Sequence, residues 1–358
     1  MLKSLSVKNF RCFQDLSIQR LGRINLISGR NAAGKTSLLE AIFLLAGGPN
    51  VSLAMTLSAL RGIGVGEAIR GDLAALREIF LQPLFLSFGL QASIDISGVH
   101  EHLGKVTLSL HVAPEESTEL PLESLTSGPS RTAETETPKA YALRADYTGG
   151  LLHKTTTLKM TLKGPVMEPA PSEMPFPATF LASGHRENPQ EDAGRLGRLE
   201  VYKQEIDLVA NLLPLEPRLQ RLVTVALGGV PVIHGDVQLD RLLPLALMGD
   251  GVRRLTSILL TIATSQGGMV LIDEIENGLH HSVLSRAWKA IGDAAESANV
   301  QIFATTHSFE CIRAAHDVFG DWPKFHLHRL ERVRDDIQVR TYDSEALAAA
   351  MKAELEVR

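Results

Sequence analysis

A chain of 358 residues with 44% hydrophobic and 22% charged residues can bury a large core, as one large domain or two. Its net charge of −5 excludes a global basic footprint, so any contact with nucleic acid would be local or made through a partner. Two cysteines, Cys12 and Cys311, lie far apart and match no metal spacing, as expected of reduced thiols in a reducing cytosol.

The opening "MLKSLSVKNFRCF" alternates apolar and polar residues and carries Lys3 and Lys8, which marks a strand rather than a signal peptide. The longest apolar runs, such as "LTSILLTIAT" at 255–264, fall well short of the roughly 20 residues a membrane span needs. A soluble, cytoplasmic protein with no membrane partner is expected. Residues 1–28 read as two strands around a turn, "KSLSVKNF" and "INLIS".

"GRNAAGKT" at 29–36 follows that second strand, and "SLLEAIFLL" after it has helical periodicity. A strand, a glycine-framed loop and a helix in that order form a phosphate-binding loop. Gly29, Arg30, Asn31, Ala32, Ala33, Gly34, Lys35, Thr36 and Ser37 are its candidate nucleotide-binding positions. Backbone N–H groups and the positive helix end hold the phosphates, with Lys35 placing a charge on the outer two. Thr36 would offer its hydroxyl oxygen to Mg²⁺. The bland alternative is a glycine turn before a helix.

Residues 50–88 read as mostly helical, broken by "RGIGVGE". A β-rich block follows in "LQASIDIS", "KVTLSLHV", "KAYALRADY" and "HKTTTLKMTLK". Within it, 113–138 is acidic, rich in Ser, Thr and Pro, and is expected to be a flexible surface insertion. The Pro-rich stretch 164–177 reads as an extended connector, and 198–227 as helical, with "GGVPVIHG" as a loop or short strand pair.

"ALMGDGVRRLTSI" at 246–258 places Gly249-Asp250-Gly251 at the start of a helix, about 22 residues before Asp273. Helix N-termini bind anions, and glycines allow close backbone approach. Since the phosphate loop already serves one subunit, a second anion-binding helix start suggests a composite site in a symmetric dimer, with ATP between the subunits.

"GMVLIDE" reads as a buried parallel strand ending in Asp273 and Glu274, where ligands bind in open parallel sheets. Asp273 would hold Mg²⁺, and Glu274 would polarise the attacking water. A strand-terminal acidic turn is the plain alternative. Glu276 and Asn277 begin the next loop and could reach across an interface. "VQIFATTH" is another buried strand, ending in His307, 33 residues after Glu274, where an imidazole can report the γ-phosphate or be a mere polar strand end. Two strands, "FHLHRL" and "IQVRTY", and a helix near 344–355 complete the chain.

Other clusters carry less. "HEH", "HH" and "HLH" lack a third ligand nearby and read as alternation or surface. Ser308 has no nucleophile elbow around it. Arg195, Arg198, Arg218 and Arg221 form either a solvated helix face or a local partner surface.

The order of phosphate loop, Gly-Asp-Gly turn, Asp-Glu strand and histidine strand resembles an ABC-type ATPase head. "VKNFRCF" followed by "INLISGRNAAGKTSLLEAI" is similar to the RecF/SMC branch rather than to transporters. "LMGDGVRRL", "LIDEIENGLHHS" and "ALAAAMKAELEVR" resemble stand-alone ATPases related to the OLD (overcoming lysogenization defect) family, many of which serve anti-phage or DNA-maintenance systems. The likeness covers about 1–45 and 240–315 well and the middle only in its β-rich character.

The resemblance implies a P-loop NTPase of ABC type: a mixed, largely parallel core sheet flanked by helices, with an antiparallel β layer and a helical insert. It implies one ATPase domain over 1–358, in lobes 1–185, 186–245 (the helical insert) and 246–358. Asn9, Phe10 and Arg11 match the family's "NFR", which would put Arg11 near the nucleotide. Gly249, Asp250 and Gly251 match the signature, with Gly249 replacing its usual serine. Gln82 is the candidate for the Mg²⁺-sensing glutamine. OLD nucleases also carry a C-terminal Toprim domain, and the 51 residues after His307 are too few for one, so no nuclease is expected here. The expected protein hydrolyses ATP to ADP and phosphate, forms a homodimer around ATP and Mg²⁺, and works on a separate effector, a nuclease foremost, in defence or DNA repair. The rival readings are a nucleotide-gated scaffold with negligible turnover and a transport ATPase.

Overall fold

The computed structural model describes residues 1–63, 77–114, 141–161, 164–170, 173–183, 188–334, 336–353 and 356–357. The expected flexible insertion lies, apart from Ala113 and Pro114, outside the described residues, as does "GVGE".

The N-terminal segment forms β1 (Leu2–Phe10), β2 (Phe13–Ile18) and β3 (Ile24–Gly29), one strand more than the sequence pattern suggests. β1 and β2 form a hairpin in a seven-stranded antiparallel sheet with β4 (Ile94–His100), β5 (Gly104–Pro114), β6 (Tyr141–Gly149), β7 (Leu152–Thr161) and β8 (Gly164–Glu168), in order β2-β1-β4-β5-β6-β7-β8. β8 takes up the first part of the stretch expected to be a connector. β9 (Ala178–Leu181) follows the second and crosses to another sheet.

That second sheet positions the site. Its order is β16-β15-β3-β14-β13-β9, with β13 (Met269–Ile272), β14 (Gln301–Thr305), β15 (Phe325–Val333) and β16 (Asp336–Tyr342). β15, β3, β14, β13 and β9 are mutually parallel, and β16 closes one edge antiparallel. β3, β13 and β14 are buried at every position because both faces are covered, which is why they read as unbroken apolar runs. Alternate side chains serve opposite cores. Leu271 and Phe303 pack toward the antiparallel sheet with helix α1 (Lys35–Gly47), whereas Val270, Ile272, Ile302 and Ala304 pack under the helices of the other face.

Helix α2 (Leu53–Leu60) follows α1. The insert is helical only in its first half, in α3 (Pro189–Val201) and α4 (Glu205–Leu212). Instead of continuing as helix, the chain forms β10 (Arg221–Leu227) and β11 (Val230–Asp236), which pair antiparallel and are joined by β12 (Leu243–Pro244). The β-branched residues of "RLVTVAL" and the positive φ of both Gly228 and Gly229 favour a two-residue hairpin there. Arg195, Arg198, Arg218 and Arg221 therefore share no helix face. Arg195 is buried and paired with Asp192 and Glu191, Arg218 is paired with Glu216 in a loop, and Arg221 opens a strand.

Helices α5 (Asp250–Thr264), α6 (Leu284–Ser297) and α7 (Phe309–Phe319) cover the second face, and α8 (Ser344–Lys352) packs at its edge. Among the described residues no helix is long and apolar enough to cross a membrane.

Candidate functional site

β3, β14, β13 and β9 all deliver their carboxyl ends to one side, where the loops leaving β3, β13 and β9 meet in a cleft of about 810 Å³. Gly29 ends β3 at φ +142°, and a Cβ there would stand 2.5 Å from the Leu330 carbonyl oxygen. Gly34, at φ +88°, would bring a Cβ to 2.7 Å from Cys12 Sγ and 2.9 Å from Phe13 Cζ. Only glycine suits both conformations, so the chain wraps tightly and α1 starts at Lys35. The first turn of α1 carries no acidic residue, leaving its positive end for a ligand.

Lys35 folds back over the loop, its Nζ donating to the carbonyl oxygens of Gly29 at 2.7 Å and Arg30 at 3.1 Å. Burial lowers its pKa, and the nearby Glu274, Asp273 and Glu276 oppose that only in part. The Thr36 hydroxyl lies 3.1 Å from both carboxylate oxygens of Asp273.

Asp273 is 4% exposed, yet its carboxylate is fully held. Oδ1 also accepts from the Thr305 hydroxyl at 2.6 Å, and Oδ2 from the Ser183 hydroxyl at 3.0 Å. Its backbone N–H donates to the Leu181 carbonyl, and its own carbonyl accepts from buried Arg254 at 3.0 Å. Thr36, Ser183 and Asp273 thus gather three hard oxygen donors on one spot beside the phosphate loop. That donor chemistry fits Mg²⁺, which keeps waters and takes one or two protein oxygens.

Glu274 turns sharply away at φ +47°, its N–H held by the Thr305 hydroxyl at 2.8 Å. Its side chain borders the cleft, with Oε2 accepting from Asn277 Nδ2 at 2.7 Å. His307 Nδ1 lies 3.8 Å from Glu274 Oε1 and 3.2 Å from Glu276 Oε1. The structure therefore brings Asn31, Ala32, Gly34, Lys35, Thr36, Ser37, Asp273 and Glu274 to one cleft and sets His307 behind Glu274.

The other candidates stand apart from it. Arg11 does not line the cleft: its guanidinium is paired at 2.5 Å with Glu40, which is 1% exposed. Gln82 sits in a 3₁₀ turn and also stays outside. Gly249, Asp250 and Gly251 form the N-terminus of α5, with Gly249 and Asp250 exposed and Gly251 against the Gly278 carbonyl. None of the three borders the cleft of its own chain.

Three contributors escaped sequence reasoning. Ser183 follows β9, a four-residue strand with little pattern of its own. Thr305 looks like any β-branched strand residue until its hydroxyl is seen between Asp273 and Glu274. Arg61 borders the cleft, its Nε 2.6 Å from Glu40 Oε1. Burial alone would lower the Arg61 pKa, but the hydrogen bonds and charge of Glu40 outweigh it and the net direction is upward. A second cleft of similar size, beside Trp322 and His316, has carboxylates but no phosphate loop.

Comparison with known proteins agrees with this geometry. Residues 165–312 match the family described as "AAA domain, putative AbiEii toxin, Type IV TA system", and residues 4–62 match an "AAA domain". An "ATP/GTP phosphatase" of Helicobacter pylori is 24% identical over 97% of both chains. The "OLD nuclease" of Thermus scotoductus is 53% identical over 47 residues, 13% of this chain and 9% of that protein. Among solved structures, an SMC head bound to the C-terminal winged-helix domain of ScpA superposes with a TM-score of 0.51 at 13% identity, covering 98% of this chain and 99% of that one. The chain thus carries AAA/ABC-type ATPase domains with the fold of an SMC head, and short stretches of it are similar to RecF, the Rad50 ATPase and the OLD nuclease.

Proposed function

We propose that this protein binds ATP with Mg²⁺ in the cleft, hydrolyses it, and uses the cycle to close and open a head-to-head dimer. The observation that carries this reading is the meeting of Lys35, Thr36, Asp273 and Glu274 at the carboxyl ends of β3 and β13, the parallel strands on either side of β14. Backbone N–H groups of 29–36 and the α1 N-terminus bind the phosphates, and Lys35 exchanges its two loop carbonyls for phosphate oxygens. Thr36 and Asp273, with Ser183 beside them, would hold Mg²⁺. An ion held there would supply positive charge against the terminal phosphates. Glu274 orients a water for attack on the γ-phosphorus and takes its proton as the bond to the β-phosphate's bridging oxygen breaks. His307, next to Glu274, meets the γ-phosphate.

Exposure of Gly249 and Asp250 at a helix start, away from their own cleft, supports their use in trans against the partner's ATP. ATP touching both protomers would favour the closed dimer. The match along nearly the whole of a protein called an ATP/GTP phosphatase supports hydrolysis. Short likeness to an OLD nuclease supports a role beside a nuclease effector, in anti-phage defence or DNA repair, within the cytoplasm. A second reading, a nucleotide-gated scaffold that turns over slowly, is favoured by Gly249, which has no hydroxyl to give a γ-phosphate.

Mass in solution of Glu274→Gln with and without ATP and Mg²⁺, beside Lys35→Ala, tests the proposal. An ATP-dependent dimer, absent in Lys35→Ala, is expected, and a monomer in every condition would refute the two-subunit site. Single-turnover hydrolysis separates the readings: an enzyme loses orders of magnitude with Glu274→Gln, whereas a scaffold barely changes.

A further inference from the structure

Glu276 sits two residues beyond Glu274 in the loop leaving β13, with its side chain 10% exposed. One oxygen does all its visible work. Oε1 accepts from the Thr306 hydroxyl at 2.7 Å and from the His307 backbone N–H at 2.9 Å, and lies 3.2 Å from His307 Nδ1. The other oxygen, Oε2, is buried and meets no donor among the described residues. A carboxylate kept in that state, near the like charge of Glu274, is more than packing needs, because a neutral side chain of the same shape would fill the same space without burying a charge. What the charge adds is a strong acceptor for the ring of His307.

We infer that Glu276 is a positioning residue for His307, an inference that rests on the hydrolytic reading of the cleft. By holding the backbone N–H and ring Nδ1 of the same residue on one oxygen, it fixes both where the imidazole stands and which nitrogen faces inward. Nε2, on the opposite edge, has no hydrogen-bond partner among the described residues and is the nitrogen left to meet the terminal phosphate. An orienting carboxylate behind a working histidine sets its tautomer without touching the reacting atoms.

The test compares the parent, Glu276→Gln, His307→Asn and the double variant. Glutamine keeps an oxygen for the Thr306 hydroxyl and the His307 N–H, so folding, checked by thermal melting, should be retained. Glu276→Gln should lower kcat about ten- to a hundredfold, as misplacing a reacting group does, with KM and the affinity for a fluorescent ATP analogue within about twofold. The double variant should be no slower than His307→Asn alone. Effects that multiply, or that fall on KM instead, would overturn the inference. ¹⁵N spectra of histidine-labelled protein give a readout independent of turnover, with the His307 signals identified by their loss in His307→Asn. A proton on Nδ1 in the parent, changed by Glu276→Gln, is expected, and a neutral ring protonated on Nε2 in the parent would refute the role. If the parent hydrolyses no faster than Glu274→Gln, the hydrolytic reading fails, and these spectra still decide whether Glu276 sets the ring.

Discussion

Replacing Thr305 by valine changes almost nothing in shape and removes a hydroxyl that joins the two acidic residues of the site. That hydroxyl donates to Asp273 Oδ1 at 2.6 Å, accepts from the Glu274 N–H at 2.8 Å, and is fully buried. A hydrogen bond to a charged group is worth about 1.5–3 kcal/mol, and a stranded buried N–H costs about 1–3 kcal/mol. Asp273 keeps its contacts with Thr36 and Ser183, so the net loss should fall toward the lower end of the two costs combined, about 2–4 kcal/mol. For 358 residues unfolding near 60 °C, with an entropy of roughly 2.1 cal/mol/K per residue, this lowers Tm by about 3–5 °C. Glu274, held at φ +47° partly by that N–H, should also lose its aim, lowering kcat about ten- to a hundredfold. Differential scanning fluorimetry and steady-state ATPase assays on Thr305→Val, with Thr305→Ser as the variant that keeps the hydroxyl, read both effects. A valine variant with the parent's Tm and kcat would show that the hydroxyl neither holds the fold nor orients the site.

Glu40→Gln leaves Arg11 buried beside a neutral amide, and breaking such a pair costs about 3–5 kcal/mol, seen as a Tm drop of about 4–7 °C. A drop under about 1 °C would contradict the burial of that pair. Acid should destabilise the protein through His328, whose pKa burial pushes down to about 3, with His326 adding to the effect. The unfolded chain takes up a proton near pH 6.5 that the native site refuses until about pH 3, so this stability is whole above pH 6.5 and lost progressively below it. At pH 5 the loss is about 2 kcal/mol, and His328→Gln should flatten melting temperature against pH between 5 and 7. An equally steep profile in the variant would sink this account.

The phosphate loop and the Asp273-Glu274 pair are legible in sequence because each is a contiguous run whose geometry is local. A glycine forced to positive φ, a lysine and threonine opening a helix, and an apolar strand ending in carboxylates need no distant partner to be recognised. The parallel strands β13 and β14 were equally readable, since burial on both faces writes an unbroken apolar run. Other parts have no local mark. β9 is four residues long, and only its parallel pairing with β13 brings Ser183 to Asp273. β10 carries enough leucine and alanine to pass for helix, and its hairpin with β11 decided otherwise. Arg195 looked like a surface charge until packing enclosed it with Asp192. Arg11 belongs to a family motif, yet the fold spends it on Glu40, while Arg61, with no motif, reaches the cleft. Sequence alone determined which chemical groups the site owns, because motifs are short-range geometry. Strand order and register decided which hydroxyls and charges surround them, because those neighbours lie tens to hundreds of residues away along the chain and meet only once the sheet is assembled.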